Sequence, residues 1–238
     1  ASELTNTIRN AVLAFVSIQS AGKALNISDG LTQTIARLNL MNDGAQTTQE
    51  LFDKIYISAQ QTHSPLMETA NAIAKMGNNA GAAFSSNDEL ISFMEQVNKQ
   101  FVIDGGASAT EQSNAMLQLS QAMASGALRG DELNSILDAA PGIARTIEES
   151  MGWAEGSIKS YAEDGQVTAE AVKSSLLNMA DETNAAFESM PITFSQAMTD
   201  FVSTSQRAFQ PVLKRLNDIA NSQAFQTFVN GAIEAMAT

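Results

Sequence analysis

The chain has 238 residues, 44% apolar but only 6% aromatic, with 4 prolines and no cysteine. That apolar share is ample for a packed core and argues against a disordered chain, and the dominance of Ala, Ser, Asn, Gln, Met and Leu argues against an all-β fold. A net charge of −13 makes nucleic acid and anionic lipid poor partners, and the lack of cysteine removes disulfide scaffolds, Cys-based zinc sites and thiol catalysis together.

In chain order, Leu4, Ile8, Ala11, Phe15, Ile18 and Gly22 step by three or four and predict an amphipathic entry helix, ended by Gly22 and the turn Ser28-Asp29-Gly30. The longest apolar run, residues 11–16, is far short of the ~20 that a membrane-spanning helix needs, and the polar start at Ser2, Glu3, Thr5 and Asn6 is unlike a signal peptide. Asp43-Gly44 reads as a turn, followed by the capping-box pattern Thr47-Thr48-Gln49-Glu50. Ser86-Asn87-Asp88-Glu89 and Ser108-Ala109-Thr110-Glu111 repeat that pattern, so helices are expected to start near 48, 87 and 109.

Pro65, Pro141 and Pro191 suit the first position of a helix, where the missing amide has no intrahelical partner anyway. Asp104-Gly105-Gly106 and Asp164-Gly165 read as turns, the second leading through Gln166-Val167 to Thr168 as a helix cap. Pro211 lies inside the apolar-periodic run 201–219 and predicts a kink or break near 209–211. The expectation is an all-α protein of roughly ten short to medium helices: an N-terminal helix (1–27), a compact helical domain (28–189) and a long amphipathic C-terminal segment (190–238). Residues 131–188 carry the acidity, and 190–238 are balanced in charge.

Candidates for chemistry are few. Asp43-Gly44 with Glu50, and Asp104-Gly105 with Glu111, imitate the second half of a calcium loop, but Met41 and Val102 stand where oxygen ligands are needed, so turn plus cap is the reading. His63, the single histidine, sits beside Ser64 and Pro65 and reads as a turn residue near a helix C-terminus. No carboxylate pair marks a glycosidase, and the glycine pairs lack the Gly-Lys-Ser/Thr end of a phosphate loop. Trp153, Tyr56 and Tyr161 read as core anchors, and the 11 methionines as core fillers. No metal, cofactor or catalytic residue is assigned.

Residues 118–142, QLSQAMASGALRGDELNSILDAAPG, followed by Ile143-Ala144, Met151-Gly152, Ile158-Lys159 and Asp164-Gly165-Gln166-Val167-Thr168, closely resemble the region shared by many tail-length tape-measure proteins of long-tailed bacteriophages and prophages. Residues 93–108, Ala36-Arg37-Leu38, and Met190-Pro191 with Ala197-Met198-Thr199 look like the same family, so the resemblance spans roughly 28–205. It implies a fragment of a longer structural protein, not an enzyme, that lies in the tail lumen and sets the length of the tail tube. By the same resemblance it meets tube and tail-assembly chaperone proteins in the host cytoplasm during assembly and leaves the tube at infection. The competing reading is a helical binding module such as a secreted adhesin or toxin domain, which would share the composition but not the ordered motif.

Two site expectations accompany this. Leu128, Arg129, Gly130, Asp131, Glu132 and Leu133, with Pro141 and Gly142, are expected to fix a helix-turn-helix corner: Gly130 by tight approach or positive φ, Asp131 or Glu132 at a helix start, Leu128 and Leu133 packed inward. Phe194, Met198, Phe201, Ser205, Ala208 and Val212 form a near-heptad seam that Leu216, Ile219 and Ala220 continue, a candidate surface for self-association.

Overall fold

The computed structural model describes residues 21–105 and 107–220, together with Gln223 and Thr227. These form eleven α-helices: α1 Ala21–Met41, α2 Thr48–Gln61, α3 Leu66–Ala80, α4 Asn87–Asp104, α5 Ala109–Ser125, α6 Gly130–Ala139, α7 Pro141–Met151, α8 Ile158–Glu163, α9 Ala169–Asn178, α10 Ala180–Glu188 and α11 Phe194–Ala220. A 3-10 turn, Gly81–Ala83, follows α3, and the only strand-like pairing among the described residues is an antiparallel bridge between Ala127 and Thr168. The fold is all-α. The chain divides into Arg37–Ser203 and a second unit of Ala1–Ala36 with Thr204–Thr238.

Local chemistry explains most helix starts. Thr47 Oγ1 accepts from the Glu50 amide while the Glu50 carboxylate accepts from the Thr47 amide at 2.8 Å, a complete capping box. Ser108 and Glu111 repeat it. At α4 the box is shifted: Ser86 accepts from the Glu89 amide, but the Glu89 carboxylate reaches one residue further back to the Ser85 amide. Thr168 caps α9 through the Ala171 amide, and Pro141 opens α7.

Two expectations need correction and a third is narrowed. Gly22 and Ser28-Asp29-Gly30 do not end a helix: α1 runs through them, with Leu31, Thr34 and Leu38 buried along one side. A single helical glycine costs only about 1 kcal/mol relative to alanine, and the Thr34 hydroxyl bonds back to the Gly30 carbonyl at 2.8 Å. The 27/28 boundary therefore falls inside α1, and residues 4–18 of the expected entry helix lie outside the described residues. Pro191 is not a helix opener but lies in the segment before α11, where Thr193 takes that role by a reciprocal pair of bonds with Gln196. At Pro211 the break is ruled out, since α11 continues to Ala220 with the proline inside it, which leaves the kink of the two alternatives.

The Arg37–Ser203 unit is built around α4, which packs against α2, α3, α7, α9 and α10. A helix surrounded on that many sides keeps only a narrow solvent face, at Asp88 and Ser92, and α4 buries Leu90, Ile91, Phe93, Met94, Val97 and Phe101 together with Gln96, Lys99 and Gln100. Two of these polar side chains are well partnered: the Gln100 amide donates to the Thr146 and Thr183 hydroxyls, each at 3.1 Å, and Lys99 Nζ reaches Glu95 and Asn184, each at 2.6 Å. These bonds join α4 to α7 and α10, which buried amide and ammonium groups require.

Candidate functional site

The motif residues converge on one corner. Ser125 ends α5, and Gly126 at φ 88° reverses the chain in the left-handed region that glycine tolerates. Two extended residues follow. The Leu128 amide donates to the Val167 carbonyl and the Ala169 amide to the Gly126 carbonyl, each at 2.8 Å, so the Leu-Arg-Gly stretch is pinned against the Asp164–Thr168 turn. Leu128 and Val167 are fully buried at this bridge. Sequence reasoning placed both segments in one family pattern but had no signal for their pairing, because two residues are too short for strand periodicity.

After the bridge, Arg129 stands at the N-cap of α6, exposed, and Gly130 to Glu132 make the first turn. Leu133, Ile136 and Ala139 are buried at helical spacing. Gly130 differs from expectation: its φ is not positive and nothing lies within 4 Å of where a Cβ would be. The close approach is at Gly142 instead, where a Cβ would lie 2.5 Å from Gln100 Oε1 and 2.6 Å from Asp104 Oδ2. The Asp104 carboxylate accepts from the Gly142 amide at 2.7 Å and from Arg145 at 2.9 Å. It therefore caps α7 from the end of α4, neutralising the helix N-terminus from another element. Ala140 is extended at φ −151°, the conformation that a following proline enforces.

The neighbouring residues 152–157 hang on Glu148, a buried carboxylate on α7 that accepts from the Gly156 amide at 3.0 Å and the Ile158 amide at 2.8 Å. Trp153 and Tyr161 stack across this loop at 3.9 Å between ring centroids. Both are half-buried, as is Tyr56 on α2, so none of the three is the core anchor expected. Each carries a polar group, the indole N–H or a phenol O–H, that favours a boundary position with access to water.

Lys173, from the helix that Thr168 caps, donates to the Ala83 carbonyl and pairs with Glu170 at 2.9 Å and Glu89 at 3.5 Å. The Glu170 hydrogen bond is the main reason its ammonium is held above the ordinary lysine range. Backbone amides do the converse for carboxylates, lowering Asp43 through the Asn87 amide and Glu89 through the Ser85 amide. Asp43 thereby ties the α1–α2 turn to the start of α4.

The calcium-like turns use their oxygens on protein amides, as described for Glu50, Glu111, Asp43 and Asp104, and among the described residues no three His, Asp or Glu gather to hold a metal ion. His63 Nδ1 lies 2.6 Å from Asp200 Oδ2, while the adjacent Ser64 hydroxyl bonds to Thr62. No described helix is long and apolar enough to cross a membrane. On α11, Phe194, Met198 and Phe201 are 82%, 47% and 39% exposed; Val212, Leu216 and Ile219 continue that helix.

The polar groups of the corner are thus engaged in holding the polypeptide in shape. No curated protein and no solved structure gives a significant match to the chain. A family model described as tape measure protein matches residues 22–209, a span containing the whole corner and every helix that meets it. With the motif pattern, its bridge and the family match over one stretch, the chain belongs to the tape measure protein family, structural components of bacteriophage tails.

Proposed function

We propose that this chain is a segment of the ruler that sets tail-tube length, lying in the tube lumen during assembly, in contact with tube and chaperone proteins, and leaving the tube at infection. The family match over 22–209 carries this reading. An in-frame deletion of Arg37–Ser203 from the parent gene tests it, with tail length measured by electron microscopy. As continuous helix that stretch would account for about 250 Å of tail at ~1.5 Å per residue, and as a folded unit with a radius of gyration of ~15 Å for only a few tens of ångströms. Intact tails of unchanged length would overturn the ruler reading.

Self-association through α11 belongs to the same proposal. It is supported by the four-and-three spacing of Phe194, Met198, Phe201, Ser205, Ala208 and Val212, and by the exposure of the first two at the helix start. Sedimentation of the full chain should show an oligomer that truncation after Met190 dissolves; a monomer in both cases at high concentration would remove the claim.

A further inference from the structure

The start of α11 is seated on its own unit by polar contacts, with apolar side chains turned outward. Inward, Asp200 meets His63, the Gln60 amide reaches the Asp200 carbonyl at 3.4 Å, and the Ser203 hydroxyl accepts from the Leu66 amide at 3.1 Å. Outward, Phe194 is the most exposed large apolar residue described and Met198, one turn on, is about half exposed. An amphipathic helix docked by its apolar stripe has the opposite arrangement. The docking is also incomplete, for Asp200 Oδ1 is buried with no hydrogen-bond partner among the described residues, which disfavours the docked form.

His63 occupies a telling position. The Ser64 amide bonds to the Ala59 carbonyl and the His63 amide to Gln60, the paired bonds that close a helix with a left-handed residue, and His63 supplies that residue at φ 50°. Glycine or asparagine is the usual occupant, so histidine carries a backbone cost here. What it gains is the ring. A carboxylate only accepts, so Nδ1 carries the hydrogen toward Asp200, and the ring stacks on Phe187 of α10 at 5.8 Å between centroids.

We propose that residues 194–203 are a releasable strap: the His63–Asp200 bond latches them to the α2–α3 corner, and the exposed segment 189–193 is the hinge on which they swing free. The Thr193–Gln196 cap lets α11 keep its helical start when undocked.

Hydrogen exchange on the full chain tests this with two variants. In His63→Gly the left-handed backbone is relieved while the latch is lost. The amides of 198–203 are expected to exchange about tenfold faster or more, the factor that a lost charge-assisted hydrogen bond corresponds to, while α4 amides are unchanged or slower. Asp200→Asn should accelerate the same amides. Acceleration confined to 198–203 in both variants supports the strap; unchanged rates there, or equal acceleration throughout α4, overturn it.

Discussion

Single positions at the motif corner differ sharply in what they should tolerate. Leu133 is buried with 2% exposure, so Leu133→Ala should cost ~2 to 5 kcal/mol in chemical denaturation. Exposed Arg129→Ala should cost ~0 to 1. A larger loss at Arg129 would contradict the assignment of packing to one and solvation to the other. The two glycines invert what the sequence suggests: Gly130→Ala meets open space in a helical conformation and should be neutral or stabilising by ~0.4 to 1 kcal/mol, whereas Gly142→Ala must displace the Asp104 carboxylate and should cost ~1 to 3. Equal midpoints for the two alanine variants would refute the close approach. The difference is illegible in the sequence because Gln100 and Asp104 come from α4, some forty residues away along the chain.

At the scale of the element, the caps were the most readable feature, since Thr47, Ser108 and Thr168 act within three residues of themselves. Their energetics should be readable in acid. Glu50 is held below its ordinary value of 4.5, chiefly by the Thr47 amide, and Glu111 below the same value, chiefly by the Ser108 hydroxyl. A carboxylate whose folded pKa is depressed contributes stability that is present above its unfolded value and lost as pH falls through the folded one. Denaturation midpoints should therefore fall between pH 5 and 3, and the double variant Glu50→Gln, Glu111→Gln should fall less steeply; parallel pH curves would show that the boxes do not contribute. What failed at this scale was a breaker read locally: Ser28-Asp29-Gly30 sits inside a helix because the buried side of α1 outweighs one unfavourable residue.

For the whole molecule, helical content was legible from composition and caps, and a far-ultraviolet circular dichroism spectrum should be helix-dominated; a strand-dominated one would contradict the fold. Which helix lies at the centre was not legible, because α4 reads in sequence as a helix with ordinary polar positions, and only the Thr146 and Thr183 partners of Gln100 reveal that those positions are inside. The His63–Asp200 pair was equally hidden, its members being 137 residues apart. Trp153 offers a site-specific readout of tertiary order, being the single tryptophan. Glu148→Ala removes the acceptor for the Gly156 and Ile158 amides and should unstack Tyr161, red-shifting the emission while α4 stays folded; an unshifted spectrum would mean the loop holds without that carboxylate.

The bridge between Ala127 and Thr168 has a kinetic consequence. Its two hydrogen bonds close a ring of chain that contains α6, α7 and α8, and closing a flexible ring of that size carries an entropy cost that grows only slowly with its length. Residues added to the exposed turn between α7 and α8 should therefore slow folding little, whereas a proline at Leu128, which removes the amide bonded to Val167, opens the neck. The short helices α6 and α7 would then have to find α5 and α4 separately instead of arriving with α8 as a tethered cluster.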